Sequence, residues 1–253
     1  MTKNPFSLSF GKEPISLINR SMQTAEIIET FEDENPAYQV CMITGVRGSG
    51  KTVMLTEITK KIRSDDDWIV MDLSPERDLL QSFAANLSND PNLSEIFRKA
   101  KINLSFLGLG VEIDGVSPIT DINVAVTRML ERINKKHKRV LVTIDEAVCN
   151  DTMKEFVSLF QIYMRQDLPV FLLMTGLYEN IYELQNEKTL TFLYRAPKIE
   201  LRPLNIGMIA EKYKNIFNPR LSAIGIAPLS SIIGTILTIN VIKYFTNIDL
   251  RNI

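Results

Sequence analysis

The chain has 253 residues, 45% of them hydrophobic and 23% charged, enough apolar content to bury one large core and too much for a disordered polymer. A formal net charge of -1 removes the global basic field that would by itself point to nucleic acid, although it leaves room for a local patch. Cys41 and Cys149 are the two cysteines and His137 the single histidine; their spacing fits neither a disulfide framework nor a metal site, as in a reducing cytoplasm.

In chain order, residues 1–14 lack the positive-then-apolar order of a secretory signal, so a cytoplasmic protein is expected. Apolar runs with strand character recur at 38–44, 68–73, 140–144, 169–175 and 199–201, separated by segments of helical periodicity. That alternation predicts a parallel α/β sheet. Leu55, Ile58 and Ile62 form one helical stripe, and Ile122, Val126, Met129 and Ile133 another, so both helices are expected to pack on the sheet. Residues 102–113 alternate instead, around Leu107 and Gly108, and predict a β-hairpin inserted before the second of those helices. Residues 204–217 read as an amphipathic helix. Residues 221–242 carry no charge and have the length of a membrane span, yet Gly225, Pro228, Gly234 and Asn240 weaken insertion. Burial in a short lid is the preferred reading, with a truncated end as its companion.

One loop carries explicit chemistry. Gly45, Val46, Arg47, Gly48, Ser49, Gly50, Lys51 and Thr52 match G-x-x-x-x-G-K-[ST], after an apolar strand and before a helix. Glycines there let successive main-chain N–H groups turn inward onto phosphate oxygens, and the helix N-terminus adds partial positive charge. Lys51 is expected to reach the β- and γ-phosphates of a bound ATP, and Thr52 to offer its hydroxyl to Mg²⁺, a hard cation that prefers oxygen. Further on, the apolar run 140–144 ends in Asp145 and Glu146, which places two carboxylates at the carboxyl edge of the sheet, where the loop also ends. Asp145 is placed to hold Mg²⁺ through a water, and Glu146 to orient the water that attacks the γ-phosphate.

Together the GKT loop, the strand ending in Asp145-Glu146 and the strand ending in Thr175 resemble an AAA+ ATPase with Walker A and Walker B motifs. Within that superfamily the chain is similar to the archaeal-type ATPases related to origin-recognition initiators and to STAND signalling NTPases, over about residues 4–217. The resemblance implies a three-layer P-loop core at 1–203 with the inserted hairpin, and a short, incomplete helical lid at 204–253. It places Thr175 at the sensor position, where relatives commonly carry Asn or Arg, and Arg195 at the position of an arginine finger reaching a neighbouring subunit's nucleotide. A threonine at a buried strand end and a surface arginine capping a helix are the plainer readings of the same two residues. Residues 16–20 match the adenine-contacting segment. Gly225-Ile226-Ala227-Pro228 matches the STAND lid motif only loosely, with one residue too many, and a lid arginine stays unassigned.

The basic run Lys135-Lys136-His137-Lys138-Arg139 reads first as cations complementing a helix C-terminus and second as a nucleic-acid contact. Phe106 and Leu107 in the hairpin either cover the sheet or meet a partner, and Arg47 is a variable loop position able to brush a phosphate. The expected function is hydrolysis of ATP to ADP and phosphate to drive a conformational change. Its alternatives are a non-catalytic occupancy switch, an initiator-like DNA-binding module and, more weakly, a phosphotransferase. A homo-oligomer or protein partner is expected, nucleic acid is a weaker expectation, and a membrane is not expected.

Overall fold

The computed structural model describes residues 21–91, 93, 97, 108 and 119–202; the hairpin, the adenine-contacting segment, the helix at 204–217, the lid and the uncharged stretch lie outside them. The residues Arg20–Leu201 group into one compact unit. Its elements in order are α1 (Ser21–Glu32), β1 (Val40–Gly45), α2 (Lys51–Ile62), β2 (Trp68–Leu73), α3 (Leu79–Asn89), α4 (Ile122–Asn134), β3 (Arg139–Ile144), α5 (Asp151–Arg165), β4 (Val170–Gly176), α6 (Tyr178–Asn186), a 3₁₀ turn (Thr191–Arg195) and β5 (Lys198–Leu201).

Among the described residues all the strand pairings are parallel and the order is β2-β3-β4-β1-β5, so the parallel α/β reading holds. Each strand sits within one or two residues of its expected place. The first begins at Val40 rather than Tyr38 because the Gln39 amide turns sideways, donating to the carbonyls of Leu168 (3.3 Å) and Val170 (2.9 Å). Strands buried on both faces carry no polar side to alternate with, which is why they appear in the sequence as unbroken apolar runs.

The two-residue period of the strands divides the core into two sets. Cys41, Ile43, Leu141, Phe171 and Leu173 pack with Ile27, Ile28 and Phe31 of α1 and Met54, Leu55, Ile58 and Ile62 of α2. Val40, Met42, Val140, Val142, Leu172 and Met174 point the other way, into α3, α4, α5 and α6. Three layers result, with the predicted stripes of α2 and α4 buried as expected except at Ile122, which is partly buried against the core.

The chain reversals explain the lone histidine. His137 and Asp167 have φ of 55° and 53° in the turns that follow α4 and α5, where the chain closes back on helix carbonyls: Lys138 N–H donates to Ile133 O (3.3 Å) and Leu168 N–H to Tyr163 O (3.1 Å). His137 is therefore part of a helix stop. The helix ends at Asn134, before the basic run. Two of that run's cations are committed inside the fold: Lys138 Nζ donates to Asp66 O (2.6 Å) and Arg139 to the carbonyls of Phe31 (2.6 Å) and Asp33 (2.7 Å).

Candidate functional site: a phosphate loop joined to an acidic turn

Strand order brings the chemistry together. β4 lies between β1 and β3, with Ile43 opposite Thr175 on one side and Ile144 opposite Met174 on the other. The loop leaving β1, the acidic turn leaving β3 and Thr175 at the end of β4 thus meet at one carboxyl edge, the usual ligand edge of open α/β sheets.

α3, α4 and α5 each begin on a side-chain cap, from Asp78, Asp121 and Asn150, which satisfies one orphan donor of the first turn. α2 does not. Its N-cap is Gly50, at φ 92° in the left-handed region that disfavours other residues, and no side chain accepts from the first turn. Ser49 N–H donates to Val46 O (3.3 Å) and closes the loop. The N–H groups of Arg47, Gly48, Gly50, Lys51 and Thr52 meet no acceptor among the described residues. Unsatisfied N–H groups at a helix N-terminus are the physical requirement for binding an anion, so the residues present fit a polyphosphate.

Lys51 is buried, with 9% of its surface exposed, and its ammonium donates to the carbonyls of Gly45 (2.9 Å) and Val46 (3.0 Å). Burial pulls its pKa below the usual lysine value, against the opposing pull of Asp145 and Glu146. The cation is therefore held over the loop with little hydration to lose. Arg47 and Val46 are exposed on the rim.

Thr52 bridges to the second motif, its hydroxyl donating to Asp145 Oδ2 at 2.8 Å. Asp145 Oδ1 accepts from the Thr175 hydroxyl and from the N–H of Glu146 (3.1 Å). That N–H also reaches Thr175 Oγ1 at 3.1 Å. Asp145 is half-buried while Glu146 is exposed, so one carboxylate is anchored and the other faces outward. A hydroxyl and a carboxylate 2.8 Å apart are a hard-oxygen donor set that suits Mg²⁺, with remaining ligands to come from phosphates and water.

Arg195 is not brought to this edge within the subunit. It ends the 3₁₀ turn, exposed, and makes no hydrogen bond or ion pair among the described residues. A cleft of about 510 Å³ between α6 and β5, lined by Tyr182, Gln185 and Lys198 among others, also includes Thr44 but no residue of the loop 45–52.

Gly176 was not legible as a site residue. A Cβ there would lie 2.9 Å from Cδ1 and Cγ1 of Ile181 and 3.3 Å from Ala147 O, so only glycine lets α6 and the acidic turn close on the end of β4. The signal was a glycine ending an otherwise apolar strand, the pattern of a close backbone approach.

Fold and site together define a parallel α/β domain with a loop of the P-loop pattern. Residues 37–144 match the family model described as an AAA domain. Among solved structures it is similar to Cdc6p of Pyrobaculum aerophilum, at 16% identity and a TM-score of 0.53, over 85% of this chain and 52% of that one. It is also similar to the ADP form of the ORC2 protein of Aeropyrum pernix, at 14% identity and a TM-score of 0.51, over 85% and 55%. These likenesses establish the fold alone. The chain spans about half the length of these two solved chains. No curated protein matches it.

Proposed function

We propose that the protein binds ATP at the phosphate loop and hydrolyses it to ADP and phosphate, using the energy to change conformation. The observation that carries this reading is the 2.8 Å bond from Thr52 to Asp145, which couples the loop to an acidic turn whose next residue, Glu146, is an outward-facing carboxylate. Gly45 to Thr52 cradle the polyphosphate with main-chain N–H groups, and Lys51 exchanges its two carbonyl partners for the β- and γ-oxygens. Thr52 and Asp145 hold Mg²⁺, which when bound neutralises charge on the phosphates. Glu146 accepts a proton from the attacking water, on the side of the turn open to substrate.

The finer parts of the proposal concern assembly. Arg195, exposed and uncommitted among the described residues, serves as an arginine finger for the nucleotide of a second copy, where a guanidinium stabilises charge on the transferring phosphoryl group. No described helix is long and apolar enough to cross a membrane. Nucleic acid stays a second candidate partner, although Lys138 and Arg139 are engaged within the fold.

The test is phosphate release per subunit across a range of protein concentrations, with Glu146→Gln and Lys51→Ala alongside. Turnover that rises with concentration and is lost in both variants supports an assembling ATPase. Confirmed ATP binding with no release at any concentration refutes hydrolysis and leaves the occupancy switch.

A further inference from the structure

Thr175 stands where a nucleotide sensor is expected, yet its hydroxyl has other employment. It is completely buried, donates to Asp145 Oδ1 and accepts the Glu146 N–H at 3.1 Å. A hydroxyl has one hydrogen to give, and here it is given to a carboxylate within the protein. The carbonyl of the same residue accepts the N–H of Ala147 at 2.7 Å. Two consecutive N–H groups of the acidic turn are thus bound to one residue of β4, one by its main chain and one by its side chain, the latter shared with Asp145 Oδ1 at 3.1 Å.

The turn needs that anchoring. Glu146 has φ 55°, the left-handed region in which a side chain crowds the following carbonyl and which a glutamate adopts only when its surroundings hold it there. Gly176 allows the contact, since a side chain at that position would meet Ile181 and Ala147 O. The left-handed residue is also the one whose carboxylate is exposed. Relaxing φ to the ordinary helical or extended region would swing the Cα–Cβ bond, and with it the carboxylate, away from its present direction.

We propose that Thr175 is a positioning residue: it acts through Glu146, holding that residue's backbone left-handed so that its carboxylate faces the phosphate edge, and does not itself touch the reacting groups. The proposal rests on the hydrolytic reading above for its consequence, but not for its geometry.

The experiment uses the full chain as wild type, Thr175→Val and Thr175→Ser, each also combined with Glu146→Gln. In nucleotide-free protein, the exchange rate of the Glu146 amide proton read by NMR rises at least tenfold in Thr175→Val and returns in Thr175→Ser. The Ala147 amide, bound to the main-chain carbonyl, keeps its protection and shows that the fold is intact. With ATP and Mg²⁺, Thr175→Val lowers kcat at least tenfold while KM stays within twofold. In the Glu146→Gln background the same change lowers residual single-turnover hydrolysis no further, because residues that act as a unit are non-additive. Unchanged Glu146 exchange in Thr175→Val overturns the proposal, as does a full multiplicative loss in the Glu146→Gln background, which would put Thr175 on the reacting groups. Absence of turnover in the wild type refutes the hydrolytic reading, and the amide measurement then decides the positioning role alone.

Discussion

Replacing Arg139 by methionine is expected to destabilise the domain by about 2–3 kcal/mol, through a clamp that a basic run in the sequence conceals. The guanidinium donates to Phe31 O at 2.6 Å and Asp33 O at 2.7 Å, closing the C-terminal end of α1, and lies 5.7 Å from the ring centre of Trp68 and 5.8 Å from that of Phe171. A hydrogen bond to a charged group contributes about 1.5–3 kcal/mol, and a cation over an aromatic ring about 0.5–1 kcal/mol at a partly exposed site. Two such bonds and two ring contacts sum to more than the figure given, because Arg139 is only half-buried and water replaces part of what is lost. Methionine keeps the apolar stem against Trp68, so the charge and its donors are what the change removes. For a chain of this size, 2–3 kcal/mol lowers Tm by about 5–10 °C. Trp68 is the only tryptophan, so its emission reports both unfolding and the loss of the cation beside it. A change below about 0.5 kcal/mol with unaltered native emission would refute the clamp, and would return Arg139 to the solvated or nucleic-acid-facing role.

Gly176→Ala is expected to cost about 1–3 kcal/mol and to lower hydrolysis, since its Cβ would meet Ile181 at 2.9 Å; adding Ile181→Ala, which removes those two atoms, restores turnover measured at a temperature where both variants are folded. Burial raises the Cys41 thiol from 9.0 to about 12. Between those values the unfolded chain has lost the proton that the native chain keeps, so stability is full below pH 9 and declines toward pH 12. Denaturant midpoints across that window test it, with Cys41→Val reducing the slope by about 1.4 kcal/mol per pH unit. An unchanged slope would mean that the thiol is not the group responsible. Thr52→Val, which removes the bridge to Asp145, is expected to weaken Mg²⁺-dependent ATP binding at least tenfold and Mg²⁺-free binding within twofold, by calorimetric titration.

What the sequence revealed follows from local physics. β3 and β4 are legible because burial on both faces requires unbroken apolar runs, and the phosphate loop because its function imposes a residue order on a short contiguous stretch. Asp145 and Glu146 were found as the polar end of such a run. Thr175 was placed at a sensor position by resemblance, with a buried strand end as the plainer reading, and its bonds run to residues about 30 positions earlier in the chain. No local pattern records a partner so distant. The left-handed φ of Glu146 was equally hidden, because glutamate carries no preference for it and tertiary contacts impose it. Arg139 was grouped with its basic neighbours, since composition does not distinguish a cation that caps α1 from one in solvent. The order β2-β3-β4-β1-β5, which seats Thr175 between the two motifs, belongs to pairing across the sheet and has no signature in any single segment.

The most direct test of the account is the identity of the nucleotide recovered from the protein after incubation with ATP and Mg²⁺, separated by chromatography from wild type, Glu146→Gln and Lys51→Ala. The expected result is ADP on the wild type, intact ATP on Glu146→Gln and no nucleotide on Lys51→Ala. Intact ATP recovered from the wild type as fully as from Glu146→Gln would contradict it, and would leave a loop that binds ATP beside an acidic turn that does not cleave it.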